Sequence, residues 1–190
     1  MELPEKTWLV EYRDGRIDAM GELIEHYRRP LFGFILKMTG GREDAEEIFQ
    51  EVWFRVIRNL NSYQDKKFLS WLFRIAHNLI IDHFRHEKQM GIVYNDDYDT
   101  DLFNSRRLAD DNVEDIMVRR QVLRDVRSLI NGLPEDQREV VIMRHYAGMS
   151  FKEIADMTGV SINTALGRMR YALINMRKVM TEKNITLSVS

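Results

Sequence analysis

The sequence predicts an all-α protein made of two small helical domains joined by an acidic flexible linker. Prolines are few and Met and Leu are frequent, which favours helices. Apolar residues recur at intervals of three and four on both sides of residues 90–112. That stretch is polar and acidic and has no helical period. We therefore predict domains at 1–89 and 113–183, a linker at 90–112 and a frayed tail at 184–190.

The first domain is predicted to contain three or four helices. Asp18 can cap a helix that runs to about residue 27, and Pro30 then ends or kinks it or opens the next helix. The glycine pair at 40–41 stops the helical pattern. Further helices are predicted at about 43–60 and 68–86, each with apolar residues along one face.

The second domain contains a helix-turn-helix pattern at residues 150–178. Ser150 and Glu153 have the spacing of a capping box, Gly159 suits the left-handed turn between two helices, and Ser161 can cap the second helix. One side of that helix is predicted to be buried, on residues spaced three and four apart: Ile162, Ala165, Met169, Leu173, Met176 and Met180.

The opposite side of that second helix is polar and basic. It carries Asn163, Thr164, Gly167, Arg168, Arg170 and Tyr171. Residues 161–178 hold four bases and no acid, which suits the major groove of DNA. The alternative is plain helical packing, because two amphipathic helices around a glycine turn are common in all-α proteins.

The composition suits a reducing compartment, and the charges are segregated along the sequence. There is no cysteine, the amino terminus is too charged for a signal peptide, and no apolar run approaches membrane-spanning length. We expect a cytoplasmic protein without membrane insertion. The net charge is −2, with acids concentrated at 43–51 and 96–115 and bases at 66–88 and 168–178. This pattern suggests contacts with DNA on some faces and with a basic protein surface on others.

Bases and aromatic residues are mixed around the fourth predicted helix. They include Lys66, Lys67, Phe68, Trp71, Phe73, Arg74, His77, His83, Phe84, Arg85 and His86. Unpaired bases of single-stranded DNA stack on rings while cations follow the backbone, so the mixture is typical of a single-strand binding surface. The alternative is that Phe68, Trp71 and Phe84 only form core.

Three segments carry a family resemblance. They are DAEEIFQEVWFRVIRNL (44–60), FLSWLFRIAHNLIIDHFR (68–85) and LPEDQREVVIMRHYAGMSFKEIADMTGVSINTALGRMR (133–170). In this order and spacing, the chain resembles a bacterial RNA polymerase sigma factor of the extracytoplasmic-function type. The resemblance spans residues 18–180, and its middle segment is the most specific.

The resemblance implies a polymerase-binding role for the acidic third helix. In the family this helix docks on the coiled coil of the polymerase clamp, and the matching positions here are Asp44, Glu47, Gln50 and Glu51. We expect Glu43 and Glu46 to be solvated.

The next loop and helix would melt and capture the non-template strand of the minus-ten element. The implied residues are Ser62, Lys66, Lys67, Trp71, Arg74, Asn78 and Arg85. Asp82 either belongs to this set or only holds Arg85.

The helix-turn-helix would read the duplex minus-thirty-five element. The implied residues are Ser161, Asn163, Thr164, Gly167, Arg168, Arg170 and Tyr171. Family members often have Thr-Val-Lys-Ser-Arg where this chain has Thr164-Ala165-Leu166-Gly167-Arg168. The departure makes the promoter preference unpredictable.

The implied partners are core RNA polymerase, through its β′ clamp and β flap, promoter DNA and an anti-sigma protein. The resemblance implies no catalytic residue, cofactor or metal. One alternative is a stand-alone helix-turn-helix regulator with a sensing or dimerisation domain. Another is a metalloprotein that uses His77, His83 and His86, although neither a cysteine nor an H-E-x-x-H motif is present.

Overall fold

The computed structural model describes residues 4–41, 44–63, 67–90 and 113–185. All regular structure within these ranges is helical, which confirms the all-α prediction. The chain divides into two compact units, Met1–Tyr98 and Asp99–Ser190. The predicted linker at 90–112 lies, apart from Met90, outside the described residues. None of the described helices is both long enough and apolar enough to cross a bilayer.

Within its described residues, the first unit is a bundle of four helices. They are α1 (Pro4–Arg13), α2 (Asp18–Thr39), α3 (Ala45–Asn59) and α4 (Phe68–Met90), and a short 3₁₀ turn at Leu60–Ser62 follows α3. Helix α2 packs against the other three, and α3 also packs against α4. The fully buried side chains that fill the space between them include Leu23, Leu31, Phe34, Ile35, Val52, Phe68, Leu72, Phe73 and Ile80.

Helix α2 differs from its sequence prediction at its first residue and at Pro30. It continues through Pro30, so that proline neither ends it nor opens another helix. Ile17 rather than Asp18 precedes the helix as its N-cap, and it makes no side-chain capping bond. Burial of Tyr27 and Leu31 on both sides of the proline favours one continuous helix despite the lost backbone hydrogen bond. Gly40 ends the helix, as predicted, with a left-handed φ of 72°.

Helix α1 was not predicted from the sequence. Its corner with α2 is held by Arg16, which pairs with Glu22 at 3.0 Å and also with Glu11. Hydrogen bonds to Glu22 and Glu11 raise the pKa of Arg16. Because the three side chains are exposed, these ion pairs contribute little to stability.

The described part of the second unit, residues 113–185, also contains four helices. They are α5 (Val113–Asn131), α6 (Glu135–Val141), α7 (Phe151–Thr158) and α8 (Ile162–Glu182). A π turn at Ile142–Tyr146 follows α6. Arg144 in this turn donates a hydrogen bond to the carbonyl of Met149 at 2.8 Å, which connects the turn to the segment before α7.

The helix-turn-helix, α7 and α8, forms as predicted. The Ser150 hydroxyl accepts a bond from the Glu153 amide at 3.2 Å, and the Glu153 carboxylate accepts one from the Ser150 amide at 2.8 Å. Gly159 ends α7 with a φ of 70°, and its amide donates to the carbonyl of Ala155. The Ser161 hydroxyl accepts a bond from the Thr164 amide at 3.0 Å and so caps α8.

The buried side of α8 lies slightly off the predicted stripe. Ala165 and Met169 are buried as predicted, but Ile162 and Leu173 are exposed, and Ala172 is the next buried residue. Each residue turns about 100° around a helix, so residue 172 lies nearly above residue 165 whereas residue 173 lies about 80° further round. The predicted stripe contains two successive intervals of four residues, from 165 to 169 and from 169 to 173. These intervals turn the stripe away from the buried side of the helix.

Candidate nucleic-acid and protein interfaces

Helix α4 has an exposed polar face opposite its buried one. Lys67, Arg74, Asn78 and Arg85 are exposed, and Trp71 is half-buried among them. Their spacing of four, three, four and seven residues keeps them on one side of the helix. The structure therefore brings together most of the residues predicted to contact the minus-ten strand. Three cations beside an aromatic ring offer both charge and a stacking surface.

Trp71 belongs to an aromatic cluster at the start of this face. Its ring centroid lies 5.0 Å from that of Tyr63 and 5.6 Å from that of Phe68. Phe68 is buried, so the alternative reading of that residue as core is correct. Tyr63 was not singled out from the sequence, because its contact with Trp71 follows from tertiary packing rather than from helical spacing.

The remaining predicted minus-ten residues give a mixed result. Ser62 lies in the 3₁₀ turn, and Lys66 lies outside the described residues. Arg85 pairs with Asp82 at 3.7 Å, as one of the two interpretations of Asp82 expected. Both side chains are well exposed, so the pair is weak and leaves Arg85 accessible to a ligand.

Helix α3 exposes acids near its amino terminus. Glu46, Glu47 and Gln50 are exposed, and Glu51 is half-buried, with an ion pair to Arg55 at 3.0 Å. Glu47 and Glu51 are four residues apart, which places them on one face, whereas Glu46 lies about 100° away from Glu47. A negative face at a helix start is suited to a basic protein surface.

Two exposed apolar residues extend this α3 face and were missed by the sequence analysis. Phe54 is 54% exposed and Ile57 is 41% exposed, and the Arg58 guanidinium lies 5.2 Å from the centre of the Phe54 ring. The signal available in the sequence was Phe54 at the interval of seven from Glu47. Exposed apolar side chains beside charged ones are typical of a protein-binding surface.

Asp44 is placed differently from the other predicted polymerase contacts. Its carboxylate is mostly buried, and its Oδ2 lies 2.5 Å from Nε2 of His83 on α4. It therefore faces α4 rather than the exposed side of α3.

The helix-turn-helix presents the polar face that the sequence predicted. Asn163, Arg170 and Tyr171 are exposed along α8. The hydroxyls of Ser161 and Thr164 lie 2.8 Å apart, so both take part in capping the helix. Both residues are exposed at the first turn of α8, and the first turn of a recognition helix is the part that contacts base edges.

Arg168 and Gly167 have distinct environments on α8. Arg168 is 24% exposed, and its Nε lies 3.2 Å from a carboxylate oxygen of Asp136 on α6. A Cβ added at Gly167 would meet no atom within 4 Å, so this glycine is not required by packing inside the unit.

These features define a two-unit helical DNA-binding protein with a helix-turn-helix in its second unit. Residues 23–89 match the family model of sigma-70 region 2, and residues 123–170 match that of sigma-70 region 4. The chain belongs to the sigma-70 family of RNA polymerase sigma factors, and its curated relatives are of the extracytoplasmic-function (ECF) type.

Relatives of known class match over nearly the whole chain. The ECF RNA polymerase sigma factor SigW of Bacillus subtilis is 27% identical over 94% of this chain and 97% of its own length. The RNA polymerase sigma factor CarQ of Myxococcus xanthus is 29% identical over 95% of this chain and 99% of its own length. The sigma factor RpoE of Bartonella quintana, solved with the anti-sigma factor NepR, has the same fold, with a TM-score of 0.68 and 17% identity over 86% of this chain and 98% of that chain.

Proposed function

We propose that this chain is an alternative sigma factor that binds core RNA polymerase, recognises and melts specific promoters and directs transcription initiation. The observation that carries the proposal is the order of the two matched regions. Region 2 contains the polar face of α4, and region 4 contains the helix-turn-helix. One chain thus has a surface suited to unpaired bases and another suited to duplex DNA.

Polymerase binding is assigned to α3. Glu47, Gln50 and Glu51 offer an acidic surface to the β′ clamp, and Phe54 adds apolar area beside it. Asp44 supports this surface from inside, because its carboxylate is directed to His83. We assign the β flap to the second unit, next to the helix-turn-helix.

Promoter DNA is assigned to α4 and α8. The α4 face, with Trp71 at its start, would hold the melted minus-ten strand. The face of α8 that carries Asn163, Arg170 and Tyr171 would read the minus-thirty-five element from the major groove. Arg168 would join it only after leaving Asp136.

The net charge of −2 fits a subunit that meets DNA inside a larger assembly. Phosphate neutralisation supplies most of the affinity of free DNA-binding proteins, and this chain has no basic surplus with which to supply it. Polymerase would provide both the remaining affinity and the catalysis, in the cytoplasm. We also propose an anti-sigma protein as a partner, by analogy with the complex in which the Bartonella relative was solved.

A reconstituted transcription assay tests the proposal. The purified chain should bind core polymerase and direct run-off transcription from promoters selected with the holoenzyme, and it should bind the same DNA far more weakly alone. Tight specific DNA binding by a homodimer that ignores polymerase would instead support a stand-alone regulator. The match of region 2 to residues 23–89 explains the first unit without a sensing domain, so that alternative is not proposed.

A further inference from the structure

Three side chains that can bind a metal ion lie close together where α3 begins beside α4. Asp44 precedes α3, while His83 and Glu87 lie one turn apart on α4. Each offers one ligand atom, and the three atoms lie within 4.8 Å of one another. His83, which the sequence suggested as a ligand together with His77 and His86, lies instead with two carboxylates. Asp44 could not have been identified from spacing because it is 39 residues away from His83.

The three ligand atoms lie close together, as the donors to a small divalent cation do. Nε2 of His83 lies 3.4 Å from Oε1 of Glu87 and 2.5 Å from Oδ2 of Asp44. Ligands about 2.0–2.1 Å from a tetrahedral zinc ion are roughly 3.3 Å apart. The His83–Glu87 distance already has this value, and Asp44 would have to retreat by only about 0.8 Å.

Burial and charge favour a cation at the same place. The side chains of Glu87 and Asp44 are 9% and 17% exposed, whereas that of His83 is 33% exposed. Two shielded carboxylates and one imidazole are donors that divalent transition metals bind, and solvent has little access to the carboxylates.

We propose that Asp44, His83 and Glu87 bind a first-row divalent transition metal such as Zn²⁺. The donor set is one imidazole nitrogen and two carboxylate oxygens, with a further coordination position open to water on the exposed His83 side. The ion would lie between Nε2 of His83 and Oδ2 of Asp44, which now form a hydrogen bond. It would link the start of α3 to α4 behind the acidic face that includes Glu47. The proposal goes beyond the sigma-factor function, and its test needs no polymerase.

The experiment uses the full-length chain without an affinity tag, treated with chelator and then titrated with Zn²⁺ by calorimetry and with Co²⁺ by visible absorption. We expect one ion per chain and Co²⁺ bands of a low-symmetry site with nitrogen and oxygen ligands. Glu87→Gln and His83→Gln should each weaken binding by about tenfold or more. His86→Gln is the matched control, because His86 is an exposed histidine on the same helix outside the cluster, and it should bind like the parent chain.

Thermal unfolding followed by circular dichroism provides the second measurement. Zn²⁺ should raise the melting temperature of the parent and of His86→Gln but not that of Glu87→Gln. If His83→Gln does not fold, the nearly isosteric Glu87→Gln decides alone. The proposal is overturned if the parent chain shows no saturable binding at metal concentrations up to about 1 mM. A site with a weaker Kd than that has little binding free energy. Equal loss of binding in His86→Gln and Glu87→Gln would also overturn it.

Discussion

Arg168 of the recognition helix forms an ion pair with Asp136 of α6, with Nε 3.2 Å from the carboxylate. Two helical turns further on, the Asn175 side chain donates a hydrogen bond to that of Gln137 at 2.8 Å. The two contacts therefore tie α8 to α6 along one line. Helix α6 thereby helps to set the orientation in which α8 presents its polar face.

The Asp136 pair predicts unequal roles for Arg168 and Arg170 of α8. Arg170 is exposed and unlike Arg168 has no ion-pair partner among the described residues. When the holoenzyme binds minus-thirty-five DNA, the logarithm of its binding constant falls with the logarithm of the salt concentration. Arg170→Ala should make this slope shallower by about one unit, the value of one phosphate contact. Arg168→Ala should lower it by less, because Arg168 must first leave Asp136.

A double-mutant cycle with Asp136→Asn and Arg168→Ala checks the pair itself. Urea unfolding should give a coupling of about 0.2–1 kcal/mol, the range of half-exposed ion pairs. A coupling of zero together with a full loss of one salt-slope unit in Arg168→Ala would mean that Arg168 is mainly a DNA contact.

Local signals explain which parts of the fold were predictable from sequence. The Ser150–Glu153 capping box and the Gly159 turn depend only on neighbours in the chain, and both were predicted correctly. The pairs Asp136–Arg168 and Asp44–His83 join helices that tertiary packing brings together, and no spacing rule reveals them. The prediction at Pro30 was wrong for the same reason. The free-energy cost of a proline in a helix is a local property, whereas the burial that offsets it depends on tertiary packing.

The candidate interfaces show the same division. Periodicity placed Glu47 and Arg74 on exposed faces, because the faces of a helix follow from its period. It did not reveal that Phe54 stays exposed, because exposure depends on which neighbouring helix covers each face.

Charge reversal at Glu47 should weaken binding to core polymerase. Glu47→Lys would put a cation on the acidic face of α3, where a basic clamp surface would repel it. Glu25→Lys is the matched control, because it makes the same charge change at an exposed glutamate of the same unit, on α2 rather than α3. We expect at least about a tenfold loss for Glu47→Lys, a change of about 1.4 kcal/mol, and a much smaller effect for Glu25→Lys. Fluorescence anisotropy of the labelled chain with core polymerase measures both, and equal effects would contradict the assignment of this face.

Removal of the Trp71 ring should impair promoter melting more than duplex binding. Stacking of one base on an aromatic ring contributes about 1–3 kcal/mol, so Trp71→Ala should reduce open complexes by roughly tenfold or more. Permanganate reactivity of minus-ten thymines measures melting, and gel shift at low temperature measures closed-complex binding. Trp8→Ala is the control, because Trp8 is also half-buried and packs on His26 but lies on α1. A comparable melting defect in both variants would indicate a general loss of stability in the first unit.

A lysine at position 166 should add a phosphate contact that this chain lacks. Leu166 is 44% exposed at the second turn of the recognition helix, so Leu166→Lys costs little packing. The salt slope of minus-thirty-five binding by holoenzyme should steepen by about one unit. Leu173→Lys makes the same change at a residue with 40% exposure two turns further along α8, and there we expect a smaller increase. Equal slopes for both variants would show that the added charge acts at long range rather than through one phosphate.

The two glycines of the helix-turn-helix should respond to alanine with opposite signs. Gly167 lies inside α8 with open space around its Cβ position, so Gly167→Ala should stabilise the second unit by about 0.5–1 kcal/mol. Gly159 has a φ of 70°, a left-handed conformation, so Gly159→Ala should destabilise it by about 1–2 kcal/mol. Urea unfolding followed by far-ultraviolet circular dichroism measures both changes. All three tryptophans, Trp8, Trp53 and Trp71, belong to the first unit, so the tryptophan fluorescence transition should stay unchanged and serves as the internal control.

Binding of the holoenzyme to minus-thirty-five DNA shows whether Gly167 also has a role at the DNA. If Gly167→Ala stabilises the chain yet weakens this binding, the glycine is kept because DNA approaches the backbone there. Unchanged DNA binding would contradict the assignment of Gly167 to the DNA-binding surface.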